Sequence, residues 1–154
     1  MDISARTDYA VRAMLVLAEA QLRDGGQMSA EEVATGQGLP KKFLEAILAD
    51  LRRGGLVTSA RGASGGYALA RPAAEITLGD VFRVVDGPLA EVHGLRPHET
   101  AYLGAAAELP TVWVAVRASL RSVLDEVTLA ALVHGRLPRH VRRLAEQPDA
   151  WMNR

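Results

Sequence analysis

The residues whose types suggest chemistry are basic and lie between positions 41 and 71. This segment contains six lysines and arginines but only two acidic residues, whereas residues 1–40 contain three basic and six acidic residues. The formal net charge of the whole chain is zero, so the positive charge is local. A local basic patch attracts phosphate groups, because neutralising them releases condensed counterions. The charge pattern therefore favours a polyanionic partner.

Four charged side chains in this segment suit different contacts with double-stranded DNA. Lys41 and Lys42 lie at the start of a predicted helix, where they can meet phosphates. Glu45 can accept a hydrogen bond from a cytosine amino group, the base edge suited to a carboxylate. Arg61 lies among residues with little side-chain bulk and can enter a narrow minor groove, where the potential is most negative. Most charges on a helix surface are simply solvated, so this interpretation depends on the elements that position them.

Three predicted helices carry or precede these residues. Apolar residues at helical spacing predict a first helix over residues 7–22. Ser29 and Glu32 form a capping-box pattern at the start of a short second helix that ends at Gly36. A third helix has Pro40 at its first position. The charged residues lie off the apolar stripe of this helix, which consists of Leu44, Ile47, Leu48 and Leu51.

A glycine-rich hairpin and a fourth helix complete the N-terminal half. Residues 56–60 and 67–70 are predicted strands, joined by the loop 61–66, whose glycines accept positive φ. Thr77 begins a fourth helix that ends at the Asp-Gly-Pro sequence of residues 86–88. Three helices followed by a hairpin predict a winged helix-turn-helix. In that fold the third helix enters the DNA major groove, and the hairpin reaches further along the duplex.

The C-terminal half predicts a loop, a long helix and a tail. Residues 89–107 have no clear period and are predicted to form a loop. After this loop, apolar residues recur at alternating spacings of four and three, which is typical of a coiled-coil seam that packs against a second such helix. The seam residues are Leu109, Trp113, Val116, Leu120, Val123 and Val127. Thr128 is expected to cap a shorter helix that reaches about His134.

These elements predict a mainly α fold with a small β-hairpin, a winged helix-turn-helix with a long dimerisation helix. We expect a DNA-binding domain at residues 1–88, a loop at 89–107, dimerisation helices at 108–137 and a C-terminal tail at 138–154. A chain of 154 residues is long enough to bury the core of such a protein.

The chain contains no cysteine. This excludes disulfides, thiolate zinc sites, cysteine-ligated clusters and thiol nucleophiles, because each requires the sulfur. We therefore expect no cofactor. No apolar stretch approaches the length of a bilayer span, and the N-terminus has acidic residues and no cleavable apolar core, so a cytoplasmic location is expected.

One motif points to a different function. Residues 62–66 match G-x-S-x-G, the nucleophile elbow of hydrolases. That chemistry needs a strand before the serine, a helix after it, and a histidine and a carboxylate nearby. Here strands are predicted on both sides and the chain is short for a hydrolase sheet, so we expect no enzyme.

Several stretches of the chain resemble a known family. They are TDYAVRA at 7–13, FLE at 43–45, LRRGGLV at 51–57, RGASGGYALA at 61–70 and VDGP at 85–88. These stretches resemble the IscR/NsrR-type family of bacterial winged-helix transcriptional regulators, in detail over residues 1–88 and generally to about residue 137. The resemblance implies a homodimer crossed through the long helix. It also implies binding to a pseudo-palindromic DNA operator, usually as a repressor.

The resemblance also implies which residues contact DNA. Base-reading and phosphate positions of the family fall on Pro40, Lys41, Lys42, Phe43 and Glu45, with Ser59, Arg61 and Gly62 at the wing. Ser29 at the start of the second helix and Arg52 on the polar face of the third complete the predicted DNA-binding set.

The sequence departs from the family at its cluster-binding loop. Many members carry three cysteines there, and a side chain of the first helix, here Asp8, completes the cluster. Without cysteine, an iron–sulfur cluster is not expected. Asp8, His93 and His98 are instead the candidate effector region, and the two histidines with Glu91 and Glu99 are alternative metal ligands, although their spacing matches no known site.

Other interpretations remain open at this point. Loop histidines are commonly just exposed, and a small-molecule pocket near Trp113 and Tyr102 is less expected than ordinary packing. The fold could instead be a protein-interaction module whose basic face meets an acidic partner. It could also be a regulator that senses a small molecule or a metal through the 89–107 loop.

Overall fold

The computed structural model describes residues 2–152, which are mainly helical with one two-stranded hairpin. Helices α1 to α4 span Ala5–Arg23, Ala30–Gln37, Lys41–Arg53 and Leu78–Val85. Strands β1 and β2 span Val57–Ala60 and Gly66–Leu69. Helices α5 to α7 span Leu109–Leu124, Leu129–Val133 and Arg139–Ala145. This element order confirms the predicted mainly α fold with a small hairpin.

Helix α1 is the centre of the hydrophobic core. Its residues Ala10, Ala13 and Ala18 are completely buried, and Met14 and Leu17 fill the space beside them. Helices α2, α3, α4 and α6 and strand β2 all contact α1. Small side chains along a helix let its neighbours approach closely, so α1 positions each of these elements.

The end of α4 is bound to the start of α1. Asp86 follows α4 as its C-cap residue, and its carboxylate accepts a hydrogen bond from the completely buried hydroxyl of Thr7. The Ser4 hydroxyl lies 3.4 Å from the same carboxylate and itself accepts a hydrogen bond from the Thr7 backbone N–H at 3.1 Å. A negative charge at a helix N-terminus also interacts favourably with the helix dipole.

Local sequence signals determine where α2 and α3 begin. The capping box predicted at Ser29 is present: the Glu32 N–H donates to the Ser29 hydroxyl, and the Glu32 carboxylate accepts from the Ser29 N–H. Pro40 is the N-cap of α3 rather than its first helical residue, because its extended backbone precedes the helix. The predicted apolar stripe of α3 is buried along its full length.

The hairpin is held against the start of α2 as well as by its own strands. Strands β1 and β2 are antiparallel, with Val57 opposite Leu69 and Ala60 opposite Gly66. Tyr67 in β2 also exchanges two backbone hydrogen bonds with Met28, at 2.7 and 2.9 Å. The hairpin therefore has a fixed position relative to the helix-turn-helix.

Helix α5 ends earlier than the seam pattern predicts. It stops at Leu124, so Val127 lies beyond it. Val127 is only 2% exposed, and its carbonyl accepts a hydrogen bond from the Leu78 N–H at 2.9 Å. The prediction of Val127 as a dimer-seam residue is therefore wrong, because its side chain is buried within its own chain.

The chain after α5 returns to the winged helix. Thr128 caps α6 as predicted, by accepting a hydrogen bond from the Ala131 N–H at 3.1 Å. Leu129 is completely buried, and α6 packs against α1. The predicted tail contains helix α7 and a 3₁₀ turn at Pro148–Trp151. A ring nitrogen of His140 lies 2.5 Å from the Ser122 carbonyl, which connects α7 to α5.

The segment between α4 and α5 has little regular structure, as predicted. It contains 3₁₀ turns at Pro97–Glu99 and Gly104–Ala106. Val92 and Leu95 exchange backbone hydrogen bonds at 2.9 and 3.0 Å around a tight turn. Both central residues of this turn, His93 and Gly94, have positive φ. Within residues 2–152, no helix is both long and apolar enough to cross a membrane.

Gly66→Ala should reduce the free energy of unfolding by about 1–3 kcal/mol. An added Cβ would lie 2.6 Å from the Met28 carbonyl oxygen, at a φ of +148° that side chains rarely adopt. Urea denaturation measures the change.

Gly36→Ala is the matched control, because its Cβ would lie 3.4 Å from Val16 within a helix. It should keep or increase stability, since alanine favours helix. Equal losses in both variants would contradict a specific role for the approach of Gly66 to Met28.

Candidate nucleic-acid interface

The start of α3 presents charged and aromatic side chains to solvent. Lys41, Lys42 and Glu45 are exposed, and Phe43 is 66% exposed although it is a large apolar residue. The buried stripe of α3 lies on its other side, where it packs in the core. The amphipathic pattern of this helix therefore orients all four side chains outward.

Lys41 has an acidic partner at the start of α2. Its Nζ lies 2.8 Å from Oε2 of Glu31, and both side chains are largely exposed. The hydrogen bond between them raises the pKa of Lys41 and lowers that of Glu31. Lys42 makes no ion pair or side-chain hydrogen bond within residues 2–152. The two adjacent lysines are therefore electrostatically different.

Glu31 is the site residue that the sequence interpretation missed. It stands ten positions before Lys41, and its own signal is only that of an acidic residue in the first turn of a helix. Only the packing of α2 against α3 brings its carboxylate to the lysine.

Ser29 serves its own helix. Its N–H and hydroxyl donate to the Glu32 carboxylate at 2.7 and 2.8 Å. Its hydroxyl oxygen also accepts from the Glu32 N–H at 3.2 Å. The side chain is exposed, so it is accessible to a partner, but these hydrogen bonds already satisfy it.

Arg52 connects α3 to the hairpin. Its guanidinium donates a hydrogen bond to the Ser59 hydroxyl on β1 at 3.2 Å. Two residues earlier, Asp50 forms ion pairs with Arg53 and with Arg6 of α1. The structure thus brings the predicted residues Arg52 and Ser59 together and fixes the end of α3 on both sides.

The loop of the hairpin exposes Arg61. This side chain makes no hydrogen bond or ion pair within the described residues. Gly62 beside it has a φ of +103°, and the Gly65 N–H donates to the Gly62 carbonyl at 3.0 Å. Strands flank this loop on both sides, so Ser64 does not lie on the strand-to-helix turn that a hydrolase nucleophile requires.

The candidate effector residues do not form a metal site. Asp8 is exposed and lies 3.3 Å from Arg12 in an ion pair. His93 lies in the tight turn at 92–95, and His98 lies in the 3₁₀ turn at Pro97–Glu99. In the part of the chain that the structure describes, no three His, Asp or Glu side chains are grouped to hold a metal ion.

Trp113 faces the loop after α4. It lines a cavity of about 330 Å³ together with Val116 and the loop residues Ala90, Glu91, Val92 and His93. Tyr102 is not among the lining residues, so this cavity does not support the less expected alternative of a small-molecule pocket near both Trp113 and Tyr102.

The comparison with known families identifies this arrangement. Residues 3–135 match the Rrf2 family, described as an iron-dependent transcriptional regulator. The chain belongs to the Rrf2 family of transcriptional regulators. This Rrf2-family protein is therefore a DNA-binding regulator of the helix-turn-helix class and not an enzyme, which confirms both predictions.

Relatives and solved structures agree with this assignment. A protein of Mycobacterium tuberculosis, named as an HTH-type transcriptional regulator, is 48% identical over 146 residues, which cover 95% of this chain and 89% of the relative. CymR of Bacillus subtilis is 36% identical over 132 residues, covering 86% and 89%.

Two solved structures share the fold. The structure of CymR, described as the global cysteine regulator of B. subtilis, superimposes with a TM-score of 0.72 at 32% identity, covering 88% of this chain and 98% of that one. The structure of IscR from T. potens gives 0.67 at 32% identity, covering 100% and 93%. The winged-helix fold of the family is therefore present here.

The residues of this chain do not supply the ligands of an iron–sulfur cluster. An iron–sulfur cluster needs thiolate ligands, and the chain has no cysteine. The carboxylate of Asp8 is paired with Arg12 instead. The donor set of this Rrf2-family protein does not fit such a cluster.

Proposed function

We propose that this Rrf2-family protein is a homodimeric repressor that binds a pseudo-palindromic DNA operator without an iron–sulfur cluster. The observation that carries the proposal is the exposed start of α3 beside a hairpin held by the Arg52–Ser59 hydrogen bond. This arrangement suits a helix that enters the major groove while the wing contacts the flanking backbone. Repression is the usual action implied by the resemblance to the IscR/NsrR-type regulators.

Each exposed residue has a role in this proposal. Lys42 and Lys41 bind phosphates at the edge of the major groove. Glu45 reads a cytosine amino group, and Phe43 makes an apolar contact with a thymine methyl group. Arg61 inserts into the minor groove. The remaining members of the set, Ser29, Pro40, Arg52, Ser59 and Gly62, shape the surface or meet the backbone.

Helix α5 is the proposed dimer interface. None of its residues is buried within the chain, although many are apolar. Leu109, Trp113, Leu120 and Val123 are half-buried, and Val116 is exposed. Covering this seam with the same helix of a second chain would remove apolar surface from water at about 25 cal/mol per Å². The dimer would place two α3 helices about one DNA turn apart.

Selection of genomic DNA fragments by the purified, metal-free protein at physiological salt tests the proposed function. We expect enrichment of one inverted repeat, since a two-fold dimer reads two equivalent half-sites. If no DNA motif is enriched and the same purified protein instead captures an acidic protein, the protein-interaction module is favoured.

Arg61→Ala should weaken operator binding by about tenfold, because the variant lacks one guanidinium that contacts the DNA. The slope of log binding constant against log salt concentration should fall by about one, since one fewer counterion is released. Fluorescence anisotropy at several salt concentrations measures both effects. Arg136→Ala removes another exposed, unpaired arginine and is the control. If both variants bind like the parent protein, Arg61 is not part of the interface.

Glu31→Gln should strengthen operator binding by about two- to fivefold at low salt, the range expected for an exposed ion pair. The reason is that phosphates must compete with the Glu31 carboxylate for Lys41 in the unaltered protein. Glu19→Gln, an exposed acidic residue of α1 without an ion pair, is the control. The gain should disappear in the double variant with Lys41→Met, and a gain that persists there would contradict competition for Lys41.

Val116→Asp should convert the dimer to a monomer, because a charge would be buried in the seam. Sedimentation equilibrium measures the mass. Val114→Asp is a matched control, since both valines lie on α5 and are 43% exposed, but Val114 lies outside the seam. Retention of the dimer mass in Val116→Asp, or its loss in Val114→Asp alone, would show that another face of α5 is used.

A further inference from the structure

An arginine-rich cavity lies between the winged helix and α5. Its volume is about 420 Å³, and its lining is formed by Arg83, Pro88, Leu89, Arg96, Arg117 and Arg121. These residues come from α4, from the segment after it and from two successive turns of α5. Cavities of this size accommodate small metabolites. None of the residues proposed above to contact DNA lines it.

Two of the four arginines are held by acidic residues. Arg83 pairs with Asp125 and lies 3.6 Å from Asp80, and Nε of Arg121 lies 2.9 Å from Oδ2 of Asp125. Burial opposes the ionisation of Asp125, but hydrogen bonds from Arg121 and Arg83 outweigh it, so the pKa of Asp125 lies below its ordinary value. A charged Asp125 thus fixes two arginines at the wall of the cavity.

The guanidinium groups of the other two arginines have no ion-pair partner among the described residues, and the Glu99 carboxylate accepts a hydrogen bond from the Arg96 backbone N–H at 2.8 Å. The side chains of Arg96 and Arg117 make no hydrogen bond or ion pair within residues 2–152. Nε of Arg117 is also buried without an acceptor. A buried donor without an acceptor costs free energy. Because Arg117 lines the cavity, an anion bound there would give its guanidinium a counter-charge. Among the described residues, the four guanidinium groups of the cavity therefore form ion pairs only with Asp80 and Asp125, and Asp80 is shared with Arg71.

We propose that this cavity binds a small organic anion with carboxylate or phosphate groups, and that the bound anion controls operator binding. The planar fork of arginine matches both groups through paired hydrogen bonds. An anion that bridges Arg96 and Arg117 would reinforce the packing of the turn at Pro97–Glu99 against α5. Arg83 connects the same site to α4, which contacts α1 and α3. The regulatory part rests on the proposed function, because the position of α5 sets the separation of the two α3 helices in the dimer.

Calorimetric titration of the full chain tests the site without DNA. The probes are citrate and, separately, inorganic phosphate, with ionic strength held constant by sodium chloride. We expect saturable binding of at least one of them. Binding of citrate alone supports a carboxylate ligand, and binding of phosphate alone supports a phosphorylated one. No saturable binding of either anion would overturn the proposal.

Three variants locate the binding. Arg96→Gln and Arg117→Gln should each weaken anion binding by about tenfold or more, since each removes a charge-assisted hydrogen-bond donor. Arg136→Gln, an exposed arginine outside the cavity, should bind the anion normally. Arg96 is exposed on a loop, so its replacement remains informative even if Arg117→Gln is poorly folded. Unchanged anion binding by Arg96→Gln would overturn the site.

Measurements of operator binding in the same buffers test whether the bound anion regulates DNA binding. We expect the saturating anion to change the operator affinity of the unaltered protein and to have a much smaller effect on Arg96→Gln. The same affinity with and without anion, or a loss of affinity in Arg96→Gln before any anion is added, would overturn the regulatory role. Normal anion binding by a protein that binds no operator in either buffer would count against the proposed function alone.

Discussion

Close packing around α1 is the constraint on which the rest of the structure depends. Ala10, Ala13 and Ala18 leave no side-chain bulk between α1 and its neighbours. Helices α2, α3, α4 and α6 all pack against it. A larger residue at any of these positions would force the neighbours apart, because protein interiors have few voids that could absorb the volume. The position of the exposed face of α3 therefore follows from small residues on a different helix.

The wing depends on this packing through a short series of contacts. Helix α1 positions α2, and Met28, which precedes the N-cap residue of α2, pairs with Tyr67 of the hairpin. Arg52 joins α3 to Ser59 on the other strand. The hairpin is thus attached to both helices of the helix-turn-helix. A two-stranded hairpin alone is marginally stable, so these contacts hold it in place beside the proposed DNA-binding helix.

Sequence patterns predicted the elements whose signals are local. The capping box of Ser29 and Glu32 and the apolar stripe of α3 involve residues within one or two helical turns, and both are present in the structure. Contacts between distant segments could not be predicted in this way. Val127 continues the seam spacing, but its backbone pairs with Leu78 and its side chain enters the core.

Contacts between charged residues that are distant in the sequence could not be predicted from sequence patterns either. The Glu31–Lys41 pair and the arginine-rich cavity both require helices to meet, and neither has a recognisable spacing. Composition located the basic segment at residues 41–71, but it did not indicate that four arginines from α4, the following loop and α5 surround one cavity. Net charge therefore conceals two separate positive sites, one on the surface of α3 and one beside α5.

The absence of sulfur and the presence of the arginine-rich cavity have related physical consequences. A cluster is held by covalent bonds to thiolates and reports redox chemistry, whereas arginines hold an anion reversibly and report its concentration. A ligand at a hundred times its Kd stabilises the state that binds it by about 2.7 kcal/mol. If the operator-binding state excludes the ligand, that free energy corresponds to about a hundredfold change in DNA affinity. At such a ligand concentration, reversible anion binding beside α5 would be sufficient to regulate the proposed dimer without any metal centre.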